Sequence, residues 1–347
     1  MRERPSLPII RTLFFARTRA LTASSPTSSA GLATIANDMA EVDKVIARRL
    51  DSGVPLVGDI SRYIIAAGGK RLRPALLLLV CGALSYTGDQ RFNLAAGVEF
   101  IHTATLLHDD VVEESTLRRV RATANEAFGN PASVLVGDFL YSRAFQMMVD
   151  AQDMRIMAIL SDATNIIAEG EVQQLMNMHD ATLDEAGYVR VIRSKTAKLF
   201  EASARLGAIL AKSSATTEEA CASYGRALGT AFQVIDDALD YDGNALEMGK
   251  NLGDDLREGK VTLPLIVAMQ RGTPQQRDTI RTAIEQGATD TLDTIIAIVK
   301  ETGALTATRE AAAAEARIAI AALDGFPDTP HTAALLQLAA QLLDRRS

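Results

Sequence analysis

Two short stretches carry carboxylates at a spacing suited to metal chemistry. In "LHDDVVEESTLRRVR" at 107–121, Asp109, Asp110, Glu113 and Glu114 crowd together at the end of the largely apolar run "AAGVEFIHTATLL". In "FQVIDDALDYDG" at 232–243, Asp236, Asp237 and Asp240 repeat the i, i+1, i+4 spacing, again after an apolar run. On a helix, residues i and i+4 share a face, so Asp109 and Glu113 would sit side by side, with Asp110 about 100° round the axis. Like charges at that spacing destabilise a helix. A hard divalent cation such as Mg²⁺ relieves them, since it takes oxygen ligands and bridges to phosphates. One such cluster reads equally well as a solvated helix end. Two copies facing each other would form a mouth of six carboxylates able to hold several Mg²⁺ ions, and its guest would be a highly charged anion such as a diphosphate.

Cations follow in separate sets. Arg118 and Arg119 lie just beyond the first cluster, and Lys70, Arg71 and Arg73 form "GGKRLRP". Lys195 and Thr196 stand in "RSKTAKLF", and Lys250 and Lys260 follow the second cluster. Each set alone reads as surface charge. Together they suffice for two diphosphates, one held through metals and one held directly by basic residues. Two diphosphates beside an apolar helical interior suggest the joining of two prenyl chains.

The elements that must position these groups read as helices. Of the 347 residues 48% are apolar and only 5% aromatic, with no tryptophan, a balance that favours helix over strand. Helical periodicity covers roughly 74–87, 90–115, 155–178, 182–194, 196–212 and 216–242, a helix restarts at "GNP" and runs to 150, and shorter helices close the chain. No strand alternation and no fixed repeat appear, and 242–261 reads as a polar, Gly-rich loop. This predicts one all-α domain over 31–347. The net charge of −7, with no long basic block, argues against general nucleic-acid binding. Cys81 and Cys221 read as buried free thiols, and no apolar run is long enough to span a bilayer. Residues 1–30 carry five arginines and one glutamate, then a Ser/Thr/Pro stretch. They read as a disordered extension, an organellar transit peptide or a misassigned start with Met39 as the true one. The expected location is the cytoplasm, with a mitochondrion or other organelle if the segment is a transit peptide.

In content and order, "GGKRLRP", "FIHTATLLHDDVVEES", "NPASVLVGDFLYSRAF", "SKTAKLF", "FQVIDDALD" and "GDDLREGKVTLPL" resemble the trans-isoprenyl diphosphate synthases, and most nearly the octaprenyl, solanesyl and decaprenyl type, over roughly 35–345. The resemblance implies the isoprenoid synthase fold, a helical bundle around a deep central cavity, a homodimer, and elongation of an allylic diphosphate by isopentenyl diphosphate units, with the quinone side chain as the destination of the product and peripheral membrane contact for its release. Asp109, Asp110 and Glu113 match the first acidic motif and Asp236, Asp237 and Asp240 the second, both implied to bind Mg²⁺. Lys70, Arg73, His102 and Arg119 match the isopentenyl diphosphate site. Arg118, Lys195, Thr196, Gln233, Lys250 and Lys260 match groups contacting the allylic diphosphate. The family usually has Asp where this chain has Glu113, which weakens the case for Glu113 as a direct ligand. The implied mechanism is ionisation, condensation and elimination, with apolar walls excluding water. The resemblance implies that product length is set one turn below Asp109, at Ala104 and Thr105, where small residues imply a long product. Met147 and Met148 are candidate lining deeper down, with ordinary core the favoured reading.

Rival readings remain in view. "HDD" at 108–110 could belong to a metal phosphohydrolase, but the chain has only four histidines, His102, His108, His179 and His331, with no matching set. A terpene cyclase would lack the second, basic diphosphate site. A non-catalytic partner subunit would usually lose acids from one motif, whereas this chain keeps both. A shorter-chain farnesyl or geranylgeranyl synthase is the alternative within the class.

Overall fold

The computed structural model describes residues 29–66, 68–118, 121–242, 252–287 and 290–344. The expected N-terminal extension, Arg119 and Lys250 therefore fall outside the described residues, apart from the last two positions of the extension.

The chain opens with α1 (Ser29–Ala33), α2 (Ala36–Arg49) and α3 (Pro55–Ala66). Helix α2 buries Val42, Val45 and Ile46, the i, i+3, i+4 stripe of an amphipathic helix. Helix α4 (Leu72–Ala83) is apolar on every side, with Pro74 through Cys81 buried, and so runs through the interior. The long α5 (Gln90–Val112) follows and ends one residue before Glu113, short of the expected 115. Among the described residues the only strands are β1 (Leu117–Arg118) and β2 (Arg121–Ala122), an antiparallel pair in the register Leu117 to Ala122 that the sequence pattern did not announce. Each is two residues long, too short to show alternation.

Next come α6 (Ala124–Phe128), α7 (Asn130–Asp150), α8 (Met154–Met176), α9 (Glu185–Ile192), α10 (Lys198–Leu210) and α11 (Ala215–Asp242). The break expected near residue 195 is instead a π-helical turn, Arg193–Ala197, which joins α9 to α10 without interruption. Such a widened turn redirects side chains and is frequent at functional sites. The chain closes with α12 (Asp254–Arg257), α13 (Leu263–Arg271), α14 (Pro274–Gln286), α15 (Leu292–Glu301), α16 (Ala304–Ala322) and α17 (Pro330–Asp344).

Two apolar clusters hold the bundle together. One gathers Leu76, Phe100, Leu140 and Phe200 from α4, α5, α7 and α10. The other gathers Leu265, Ile284, Val299 and Leu305 from α13 to α16. Helix α11 enters both, with Tyr224 and Leu228 in the first and Val234, Ile235 and Tyr241 in the second. Both cysteines are buried and free. No described helix is long and apolar enough to cross a membrane.

Candidate active site

The π turn is where the two acidic motifs meet. Lys195 Nζ lies 2.7 Å from Glu171, 3.2 Å from Glu113 and 3.6 Å from Asp109. The next residue, Thr196, donates its hydroxyl to Gln233 Oε1 at 2.9 Å, and Gln233 Nε2 donates to Asp237 at 2.8 Å. Consecutive side chains of one turn thus reach α5 and α8 on one side and α11 on the other. Two glycines allow the approach. A Cβ on Gly170 of α8 would stand 2.7 Å from Ser194 Cβ, and one on Gly229 of α11 would stand 2.8 Å from Ala197 Cα. Lys260 closes the ring, 2.6 Å from Glu113 and 2.7 Å from Glu258.

The six carboxylates do not all face the opening. Asp109, Glu113 and Asp236 keep contact with solvent, while Asp110, Asp237 and Asp240 are buried. Asp110 takes both Nε and Nη2 of Arg118 in a fork at 2.9 and 2.8 Å. Asp237 accepts from Tyr188 at 2.5 Å as well as from Gln233. Asp240 accepts the Asp255 backbone N–H at 3.2 Å and so ties α11 to the start of α12. Of the six carboxylates expected at a mouth, three therefore keep contact with solvent and three are buried. For Asp110 and Asp237 the reason is helical geometry: adjacent residues point about 100° apart, so a packed helix turns only one of a pair toward an opening, whereas Asp240 is covered by the start of α12. Among the described residues no three carboxylates converge closely enough to chelate one ion by themselves.

Charge is strongly perturbed here. Burial works to raise Glu113, but Lys260 and Lys195 outweigh it and hold the carboxyl down to about 2. Burial raises Asp109 and pushes Glu171 up to about 7, in each case against the pull of Lys195. Burial, with the charge of Asp255, pushes Asp237 up to about 7. Lys195 and Lys260 lose solvation, yet their carboxylate neighbours raise both above the ordinary lysine range.

A second, basic region lies across α5. Arg73 Nη1 donates to His102 Nε2 at 3.1 Å, so that ring nitrogen is the acceptor. Arg73 rests 4.6 Å over the Phe200 ring and Lys70 lies 5.6 Å over Phe232, two rings that pack together at 5.9 Å. Burial lowers Arg73 to about 10, and its Nε is buried without a hydrogen-bond partner, a donor suited to an incoming anion. His102, Asp110 and Arg118, with Tyr63, Gly68 and Glu99, line a small cleft of about 30 Å³. Arg71 is turned away and paired with Asp43.

Of the expected lining residues, Ala104 lies elsewhere, and the two methionines are core, as favoured for them. Thr105, one turn below Asp109, stays partly exposed, but Ala104 is fully buried in the core and does not share that stripe. Met147 and Met148 are core residues, 0% and 2% exposed. His108 points away from the mouth, 3.2 Å from Asp138 of α7. His179 bonds the Ile284 carbonyl and His331 packs on Gly82, so these rings share no metal site with His108 and the phosphohydrolase reading falls. Sequence reasoning missed Glu171, Tyr188 and Glu258. A signal existed for Glu171: the glycine before it, inside a helix, costs about 1 kcal/mol against alanine and so marks a close approach.

A helical bundle that brings two acidic motifs to one lysine turn, with a separate basic cleft, has the isoprenoid synthase fold. The chain belongs to the polyprenyl synthetase family, whose sequence model matches residues 54–301. Octaprenyl diphosphate synthase of Escherichia coli is 53% identical over 305 residues, covering 88% of this chain and 94% of that protein. All-trans-nonaprenyl-diphosphate synthase (geranyl-diphosphate specific) of Rhodobacter capsulatus is 45% identical over 317 residues, covering 90% and 97%. A polyprenyl synthase from Caulobacter crescentus, solved with calcium and isoprenyl diphosphate, superposes with a TM-score of 0.89 at 43% identity, covering 93% of this chain and 99% of that one.

The donor set fits a hard divalent cation. It is all oxygen, and Asp110 Oδ2 is buried with no hydrogen-bond partner, a lone-pair site that a cation would satisfy.

Proposed function

We propose that the chain elongates an allylic diphosphate with successive isopentenyl diphosphate units to a long-chain all-trans polyprenyl diphosphate, as a Mg²⁺-dependent enzyme. The observation that carries the reading is the Lys195–Thr196 turn, which touches the first acidic motif with one residue and reaches the second through the other. Asp109, Glu113 and Asp236, with the open Oδ2 of Asp110, would hold Mg²⁺, with Asp237 and Asp240 fixing the second motif from behind. Bound Mg²⁺ would supply positive charge to the departing diphosphate. Among the described residues no three carboxylates converge to chelate an ion alone, so substrate oxygens would share in holding it.

The chain's own groups do the rest. Lys195 and Lys260 would stabilise negative charge developing on the allylic diphosphate, joined by Lys250 from outside the described residues. Thr196 and Gln233 orient one another beside the reacting carbon. Arg73, Lys70 and His102, with Arg119 from outside the described residues, would hold the diphosphate of isopentenyl diphosphate directly, and Arg118 would border both sites. The double bond then attacks the allylic cation and a proton leaves to the released diphosphate. The apolar core around the reaction keeps out water that would quench the cation. We read 31–347 as one domain that pairs with a second copy, works in the cytoplasm as the bacterial relatives support, and delivers a quinone side chain to a membrane surface.

Incubating the purified protein with Mg²⁺, farnesyl diphosphate and labelled isopentenyl diphosphate, then sizing the products by chromatography, tests the proposal. A long all-trans product is expected. Arrest at farnesyl or geranylgeranyl length would favour the shorter-chain reading, and no product from the protein alone would favour a partner subunit.

A further inference from the structure

We propose that Glu171, which lies outside both acidic motifs, is the positioning residue that keeps Lys195 aimed at the diphosphate once metal occupies the motif carboxylates. The inference rests on the function proposed above and adds to it the anchor of the catalytic lysine.

Lys195 has three N–H donors and three carboxylates around it. Glu171 is the nearest, at 2.7 Å against 3.2 Å for Glu113 and 3.6 Å for Asp109. The other two belong to the motif that takes the metal. With a divalent cation held there, Asp109 and Glu113 would be engaged by it and the Lys195 ammonium would lose both as acceptors. Glu171 alone remains, and it leaves two donors free for phosphate oxygens.

The backbone is arranged for this pairing. Gly170 lets α8 meet the π turn, since a Cβ there would lie 2.7 Å from Ser194 Cβ and 3.0 Å from the Lys195 nitrogen. One turn further along α8, Gln174 Nε2 reaches Glu113 at 3.5 Å, so the same helix face supports both the lysine and its neighbour. The pair is mostly shielded, with side-chain exposures of 18% for Lys195 and 28% for Glu171, which strengthens the attraction over that of a surface pair.

The test uses Glu171→Gln, Lys195→Ala and the double variant in the full chain. Melting curves first establish that each is folded. Glu171→Gln is expected to lower kcat about ten- to a hundredfold, the scale of a misplaced catalytic group, with KM for isopentenyl diphosphate unchanged. Calorimetry with inorganic diphosphate and Mg²⁺ should show binding weakened about tenfold, whereas a merely structural loss would disturb both substrates. Adding Glu171→Gln to Lys195→Ala should cost nothing more, because Glu171 acts through the lysine. Glu171→Asp, which keeps the charge, should recover part of the rate. Full activity in Glu171→Gln, or an equal loss with and without Lys195, would overturn the proposal. A wild-type protein that forms no prenyl product would instead sink the assigned reaction, and the calorimetric comparison would still decide the role of Glu171.

Discussion

Lys195 and Lys260 lie among Asp109, Glu113, Glu171 and Glu258, where the proposed reaction would use positive charge. Their carboxylate partners respond in opposite directions, and this has a consequence for pH. Glu113 is held down to about 2 from a usual 4.5, so its contribution to stability is present above 4.5 and is lost as pH falls toward 2. Glu171 and Asp237 are pushed up to about 7 from 4.5 and 3.8. In that range the unfolded chain ionises them before the folded one does, so metal-free stability falls as pH rises from the usual carboxylate values through 7. Melting curves in a chelator should show this falling limb, and Glu171→Gln should flatten it even as it slows turnover. Equal pH slopes for the two proteins would contradict the burial of Glu171. The two acidic motifs and the lysines were legible in the sequence because their spacing is a local property. The Glu171–Lys195 and Tyr188–Asp237 pairs were not, because they depend on which helices meet, and periodicity gives a helix its buried face without naming its neighbour.

At the scale of elements, the site depends on helices approaching the π turn at backbone distance. Gly229 is the clearest case, since a Cβ would meet Ala197 Cα at 2.8 Å. Gly229→Val should force α11 away, break the Thr196–Gln233 hydrogen bond and destabilise the fold by about 1–3 kcal/mol, the usual scale of overpacking. Activity and the denaturation midpoint should fall together, and a variant with wild-type values would show that the contact has slack. Helix α5 sets the length question in the same way. Thr105 lies on the partly exposed stripe below Asp109, so Thr105→Phe should shorten the product on chromatography. Ala104 is fully buried, so Ala104→Tyr should lower the melting temperature instead of acting as a clean length switch. The sequence placed both residues a turn below Asp109 but could not separate them, because one residue of offset on a helix moves a side chain about 100°. It also read a break at the π turn, where a polar, cationic stretch interrupts the apolar period while the helix continues.

For the whole molecule, an apolar surface is left over that neither core explains. Leu135, Phe145 and Val149 on α7 are 67%, 38% and 61% exposed, and Met154 at the start of α8 is 78% exposed. The spacing from 135 through 145 to 149 keeps these side chains near one stripe of the helix, with Phe139 beside them under Arg143. The facing side of α7 is bound into the main core through Val136, Leu140, Ala144 and Met147. These side chains are exposed among Asp138, Ser142 and Gln146, the mixed face of an interface, and a twofold pair of identical chains buries the same stripe twice. This supports the homodimer that the family resemblance implies, with α7 at its centre. Light scattering should give about twice the chain mass of 37.1 kDa for the wild-type protein. Placing a charge at the middle of the stripe, with Phe145→Glu and Val149→Glu together, should shift the species toward one chain mass, since an unpaired charge buried in an interface is costly. A wild-type protein that already runs as a single chain would remove the argument, and a double variant that stays dimeric would move the interface off α7.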